Sequence, residues 1–91
     1  MKQLPEGVAA YKRTPVFTQE TLPAGLRREH ATKAGVWGLI HVESGRLRYE
    51  IAGDGSVVEL VPGDPPGVIE PEVLHSVTPI GDVRFFVEFH R

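Results

Sequence analysis

The sequence predicts an all-β fold for this chain of 91 residues. Its ten glycines and eight prolines favour many turns over long helices, because proline lacks a backbone donor and glycine readily adopts positive φ angles. Between the turns, apolar and polar side chains alternate over about six to nine short segments, as they do in half-buried strands. We find neither a repeat of solenoid length nor a linker, so we expect one domain, residues 1–91, built as a β-sandwich or barrel.

Composition limits the classes of function. The chain contains no cysteine, which excludes disulfides and thiolate metal sites and leaves histidine and carboxylate side chains as candidate metal ligands. The formal net charge of -2, with scattered basic residues, argues against a nucleic-acid partner. No apolar stretch suits a signal peptide or a membrane span, so we expect a cytoplasmic protein without membrane contact. Because so small a domain buries a modest core, we also expect a homodimer.

The first elements are short. Residues 8–13 alternate loosely and predict an edge strand. Residues 16–22 suit a helical turn after Thr14-Pro15 as well as a strand. Residues 23–25, with the sequence Pro-Ala-Gly, predict a turn.

The next predicted strand carries the first histidine of interest. Residues 26–32 read as a strand in which alternate side chains share one face, so Arg28, His30 and Thr32 point the same way. A turn at residues 33–35 then leads into the apolar centre of the chain.

Two central strands follow. Residues 36–43 are almost uninterruptedly apolar, and Ser44-Gly45 predicts a turn into a strand at residues 46–51. That strand has an apolar face made of Leu47, Tyr49 and Ile51 opposite a charged face. Residues 53–56, Gly-Asp-Gly-Ser, predict a hairpin turn.

The last part of the chain carries the second histidine of interest. A returning strand at residues 57–61 precedes a long turn at residues 62–67, after which residues 68–69 form a brief strand. Residues 73–78 carry His75, and residues 79–82 lead to the final strand, residues 83–90. The alternation there directs Val83, Phe85, Val87 and Phe89 towards the core and Glu88 away from it.

Several of these residues form a recognisable pattern. His30-x-Thr32, Gly45, Pro62-Gly63-Asp64 and Pro71-x-x-x-His75 resemble the two-motif signature of the cupin superfamily, which implies a jelly-roll barrel. In that pattern His30 and His75 take two of the histidine positions. Three positions depart from it: Thr32 replaces the second histidine, Gly38 falls where the glutamate ligand would be, and Glu72 replaces a glycine.

A closer resemblance covers nearly the whole chain. The run from His30 to Gly38, the segment from Ile69 to Val77 and the segment from Arg84 to Phe89 resemble the small YeaR/TehB-like cupin family. That family is associated with tellurite resistance, either as a stand-alone cupin or as a domain ahead of a methyltransferase. We expect this chain to be too short to contain the methyltransferase.

The resemblance implies a metal site inside the barrel. His30 and His75 are the candidate ligands for one divalent metal, Zn, Fe, Ni or Mn, of which Zn, Fe and Ni favour imidazole. Thr32, a carboxylate or water would complete the coordination. Among the pocket candidates, Arg28 would attract an oxyanion and Glu70 would orient His75. The alternative is that the two histidines line a polar pocket without metal.

The other histidines and the tryptophan suit structural roles. His41 lies opposite Gly38 and Ile40 on its strand, which favours a surface or subunit contact, and His90 is expected to be exposed near the terminus. Trp37 suits the core or an interface. No nucleophilic triad is apparent, so catalytic residues stay unknown.

Three functions fit these observations. The leading hypothesis is a small cupin that binds a divalent metal or a small anionic ligand and serves tellurite or oxyanion stress resistance. A metal-dependent enzyme of the dioxygenase or isomerase type is the main alternative. A non-catalytic interaction module is the third, because one fold carries many functions.

Overall fold

The computed structural model describes residues 2–91, which form six strands and one short helix and confirm the all-β class. The elements, in chain order, are β1 (Ala10–Arg13), β2 (Phe17–Thr18), α1 (Ala24–Arg27), β3 (Trp37–Ile51), β4 (Ser56–Leu60), β5 (Gly67–Ile69) and β6 (His75–His90). No described helix is long and apolar enough to cross a membrane.

Two long strands organise the sheet. β3 and β6 pair antiparallel along their whole length, from Trp37 opposite His90 to Ile51 opposite His75. The register shifts twice, between Val42 and Ser44 and between Gly45 and Arg46. These irregularities are β-bulges, which bend a strand pair and increase its twist.

The bulges correct two predictions. Ser44-Gly45 is not a turn, because the chain continues through it as one strand, and residues 79–82 likewise lie within β6 instead of separating two strands. Glycine inside a strand marks a bulge as readily as a turn. Gly45 has a φ of 79°, and an added Cβ there would overlap the backbone carbonyl oxygen of Asp82. The close approach of β6 therefore requires glycine.

The sheet has the strand order β1-β6-β3-β4, with β2 added on β6 and β5 added on β3. β3 and β4 form the hairpin predicted around residues 53–56, with Ile51 opposite Ser56. The described strands form one open sheet whose order does not close into a barrel. The structure therefore confirms a small all-β domain. It does not confirm the closed jelly-roll barrel that the motifs imply.

The outer side of β6 is completed by several short segments. β1 pairs with its C-terminal end and β2 with its middle. Between β1 and β2, the Thr14 hydroxyl accepts a hydrogen bond from the Val87 amide at 3.0 Å, and directly after β2 the Gln19 side-chain oxygen accepts one from the Val83 amide at 3.0 Å. The predicted edge strand is thus confirmed as β1, and residues 16–22 contain a strand of two residues followed by a turn.

The prediction of a strand at residues 26–32 is wrong. Residues Ala24–Arg27 form one turn of helix, so the predicted turn at residues 23–25 overlaps its start, and His30 makes an isolated bridge to His75. Leu26 packs on the core from this helical turn, and the Arg27 guanidinium donates to the Gln19 carbonyl at 2.7 Å. These tertiary contacts outweigh a local alternation too short to select strand over helix.

The core lies on the inner faces of β3 and β6, as the alternation predicts. Leu47 and Phe85 are both 0% exposed, and Tyr49 and Val83 are each 1% exposed. The Tyr49 hydroxyl donates to the Val68 carbonyl at 2.8 Å, which satisfies its polar end within the core. The predicted faces of these two strands are confirmed.

Candidate functional site

His30 and His75 lie side by side at the start of β6. The His30 amide donates to the His75 carbonyl at 2.9 Å, and the His75 amide donates to the His30 carbonyl at 2.8 Å. The two ring centroids are 4.1 Å apart and the ring planes are inclined by 57°. The backbone bridge therefore holds both imidazoles within reach of one small ligand.

Backbone carbonyls determine the tautomer of both rings. His30 Nδ1 lies 3.1 Å from the Arg28 carbonyl oxygen, and His75 Nδ1 lies 3.0 Å from the Val73 carbonyl oxygen. A carbonyl only accepts hydrogen bonds, so each Nδ1 carries the proton and each neutral ring keeps a lone pair on Nε2. Within residues 2–91, neither Nε2 atom has a hydrogen-bond partner.

The environment of His75 favours the neutral form of its ring. Its side chain is buried at 2% exposure, and Tyr49 contacts it edge-on with ring centroids 5.8 Å apart. Burial lowers the pKa of His75, the hydrogen bond to Val73 opposes this, and the neighbouring His30 lowers it further. A neutral imidazole is the form that accepts a hydrogen bond or binds a metal.

A cavity of about 640 Å³ adjoins the two rings. Most of its wall is apolar, made of Phe17, Leu26, Val36, Ile69, Val87 and Phe89. Thr32 also lines the cavity, as predicted, and its hydroxyl donates to the Val36 carbonyl at 2.7 Å. Tyr11, Lys12 and Lys33 are among the other lining residues of the cavity and occupy exposed positions.

Two other predicted pocket residues lie elsewhere. Arg28 is exposed and contributes its backbone carbonyl to His30, while its side chain is not part of the cavity lining. Glu70 forms an ion pair with Lys2 at 2.9 Å, and the Val73 carbonyl takes the place next to His75 Nδ1 that Glu70 was predicted to take. The structure therefore brings together His30, His75 and Thr32.

The protein supplies two candidate metal ligands here. Among the described residues, no group of three or more histidine, cysteine, aspartate or glutamate side chains is arranged to hold a metal. At Gly38, the position of the glutamate in the cupin pattern, an added Cβ would lie 2.9 Å from Ile69 Cδ1. A borderline metal such as Zn would take the two Nε2 atoms as ligands and would need water or a small molecule at its remaining positions.

A second histidine cluster lies on the opposite face of the sheet. The His41 ring stacks on Phe86 with centroids 4.8 Å apart, and the Arg13 guanidinium lies 4.4 Å from the centre of the Phe86 ring. Glu88 Oε1 is 2.8 Å from His90 Nε2 and 3.8 Å from His41 Nε2. Glu88 thus points away from the core, as predicted.

This outer cluster was only partly foreseen. The prediction that His90 is exposed is wrong, because its side chain is 12% exposed and is bonded to Glu88. The spacing contained a signal for this contact, since residues two apart on a strand share a face. Nothing in the sequence marks the contact of Arg13 with Phe86, which depends on the pairing of β1 with β6.

Comparison with known proteins finds a matching domain family and related proteins that agree with one another. The TehB-like domain family matches residues 12–87. A probable S-adenosyl-L-methionine-dependent methyltransferase TehB from Haemophilus influenzae is 34% identical over 76 residues, covering 79% of this chain and 27% of that protein. The uncharacterised protein YeaR from Escherichia coli K12 is 27% identical over 94 residues, covering 94% of this chain and 79% of that protein. The chain thus spans about a quarter of the length of TehB, 27%.

Two crystal structures have the same fold. That of TehB from Haemophilus influenzae superposes with a TM-score of 0.84 and 28% sequence identity, covering 93% of this chain and 32% of that one. That of a protein from Escherichia coli K12 superposes with a TM-score of 0.90 and 26% identity, covering 100% of this chain and 97% of that one.

Proposed function

Because the chain belongs to the TehB-like domain family, we propose that it is a small ligand-binding domain whose site is the His30–His75 pair. In this proposal the domain has the cupin jelly-roll form that its motifs resemble and acts in the cytoplasm as a homodimer. It serves resistance to tellurite or related oxyanions, as the resemblance implies. The cavity beside the two rings supports a binding function.

The observation that carries the proposal is the shared tautomer of the two rings. Both Nδ1 atoms are held by backbone carbonyls at 3.0–3.1 Å, which leaves a lone pair on the Nε2 of each of these two cavity-lining residues. A second hydrogen bond of this kind is how proteins orient metal-binding imidazoles. We therefore propose one divalent metal, bound by His30 and His75 together with water or small-molecule ligands.

The geometry favours metal over direct anion binding. A lone pair on a neutral imidazole does not attract an anion, and the low pKa of His75 keeps that ring neutral near pH 7. The alternative of a dioxygenase or isomerase usually requires three protein ligands, and the described residues offer two at this pair. Binding is thus better supported than catalysis.

The test is a metal titration of tag-free, chelator-treated protein. We expect one equivalent of Zn, Fe, Ni or Mn to bind, with an affinity lower than that of a complete three-histidine site because two ligands come from the protein. His30→Leu and His75→Leu should each abolish binding. His41→Leu, which changes a histidine on the opposite face, should leave it intact.

Two results would contradict the metal proposal. One is a failure of all four metals to bind to the folded protein, with folding checked by circular dichroism. The other is metal binding that survives in both His30→Leu and His75→Leu. If the domain is instead a non-catalytic interaction module, His30→Leu and His75→Leu should behave like the unchanged protein in every ligand assay.

A further inference from the structure

We propose that the His30–His75 cavity binds an uncharged, largely apolar molecule that presents an O–H or N–H donor to the two rings, of the aromatic alcohol class. This inference rests on the proposed binding function, because it uses the same pair of histidines, and it concerns their metal-free state, since each Nε2 lone pair binds either a metal or the donor of a ligand. It goes further by naming the chemical class of the small molecule.

The polar atoms of the pair region are acceptors. Each Nδ1–H donates to a backbone carbonyl, that of Arg28 for His30 and that of Val73 for His75, so in this tautomer each Nε2 offers a lone pair. The Thr32 hydroxyl donates a hydrogen bond to the Val36 carbonyl at 2.7 Å, so the Thr32 hydroxyl oxygen also offers a lone pair. A ligand that satisfies these three side chains must bring its own donor.

The backbone next to the pair does not change this conclusion. The amides of His30 and His75 already donate to each other's carbonyls, at 2.9 and 2.8 Å. The other donors of the lining are the ammonium groups of Lys12 and Lys33 and the hydroxyl of Tyr11, and all three residues are exposed to solvent, where such groups remain hydrated. A ligand anion would thus gain no donor from the two rings.

The apolar lining of the cavity determines the size and polarity of the ligand that fits. Apolar side chains, among them the aromatic rings of Phe17 and Phe89, make up most of the lining of a cavity of about 640 Å³. That volume lies within the range of about 300–1,000 Å³ typical of small-molecule sites, which combine apolar walls with a few polar groups that orient the ligand. A fused aromatic ring with one hydroxyl group matches both features.

The test compares two ligands of nearly equal shape on chelator-treated protein, β-naphthol and β-methylnaphthalene, by amide NMR titration. Replacing the hydroxyl group by a methyl group removes the donor and leaves the acceptors unpaired, so we expect β-naphthol to bind about tenfold more tightly or better. His30→Leu and His75→Leu should reduce that preference to about twofold or less, while His41→Leu should keep it.

The outcomes separate this inference from the metal proposal. Equal affinity for the two ligands, binding of neither, or a preference that survives in both His30→Leu and His75→Leu would overturn the inference, even if Zn binds in the separate titration. A preference that depends on the two histidines would support it, even if no metal binds. If His75→Leu does not fold, the half-buried His30→Leu provides the same comparison.

Discussion

Replacing Gly45 with alanine should destabilise the protein far more than the same replacement at Gly55. Both glycines have positive φ angles, 79° at Gly45 and 73° at Gly55, so both variants carry the backbone cost of a left-handed alanine. The surroundings differ. A Cβ on Gly55 would meet no atom within 4 Å, whereas one on Gly45 would overlap the Asp82 carbonyl oxygen and lie 2.9 Å from Val83 Cα.

The magnitude follows from these two contributions. A left-handed alanine costs about 1–2 kcal/mol, and the reduced freedom of the unfolded chain returns about 0.4–1 kcal/mol, so Gly55→Ala should cost about 1 kcal/mol. At Gly45 the atoms in the way belong to the backbone of β6, which cannot rotate aside as a side chain does. Relief requires breaking about two ladder hydrogen bonds at about 1 kcal/mol each, with about 1 kcal/mol of residual strain.

We therefore expect Gly45→Ala to lower the free energy of unfolding by about 3–5 kcal/mol in urea titrations. The corresponding fall in melting temperature is about 12 °C or more for a domain of this size. If the two variants agree within about 0.5 kcal/mol, the close approach of β6 to Gly45 is not the reason for glycine at the bulge.

Two further predictions concern buried titratable side chains. Tyr49→Phe removes the hydrogen bond to Val68 and should cost about 1 kcal/mol near pH 7 in urea unfolding. Burial raises the pKa of Tyr49, so the stability it contributes is present below the unfolded-state value of about 10 and is lost as the pH rises above it. The destabilisation by Tyr49→Phe should thus shrink above about pH 10, and a constant difference would contradict the role of burial. Burial lowers the pKa of His75. The stability that the neutral ring contributes is therefore complete above the unfolded-state pKa of about 6.5. That stability is lost as the pH falls from the unfolded-state pKa towards the folded-state pKa. The unfolding free energy of His75→Gln should therefore depend less on pH than that of the unchanged protein between about pH 7 and 5. Parallel curves for the two proteins would refute this.

The sequence predicted best what depends on neighbouring residues alone. The apolar face of β3 and the core-facing residues of β6 follow from a two-residue period, which any strand shows whatever its partner. The β3–β4 hairpin was equally predictable, because Gly53-Asp54-Gly55 suits a tight turn. These elements needed no knowledge of distant contacts.

The prediction of the candidate site did not come from local sequence patterns. Alternation and composition alone did not connect His30 with His75, and the motif resemblance did. The strand prediction for residues 26–32 is wrong, although His30 and Thr32 still line the same cavity. One backbone bridge, which no short-range pattern contains, brings His30 to the edge of β6.

By itself, the sequence determined the β class and the faces of the long strands. Through its motifs it also determined the choice of His30 and His75 as candidate site residues. The tertiary structure decided that β3 and β6 each continue through bulges, that Gly45 lies against β6, and that Arg28 and Val73 orient the imidazole rings. The physical reason is that a glycine signals backbone freedom without saying how it is used. Likewise, a histidine's chemistry depends on which ring nitrogen a partner holds, and the backbone partners that hold it are positioned only when the chain is folded.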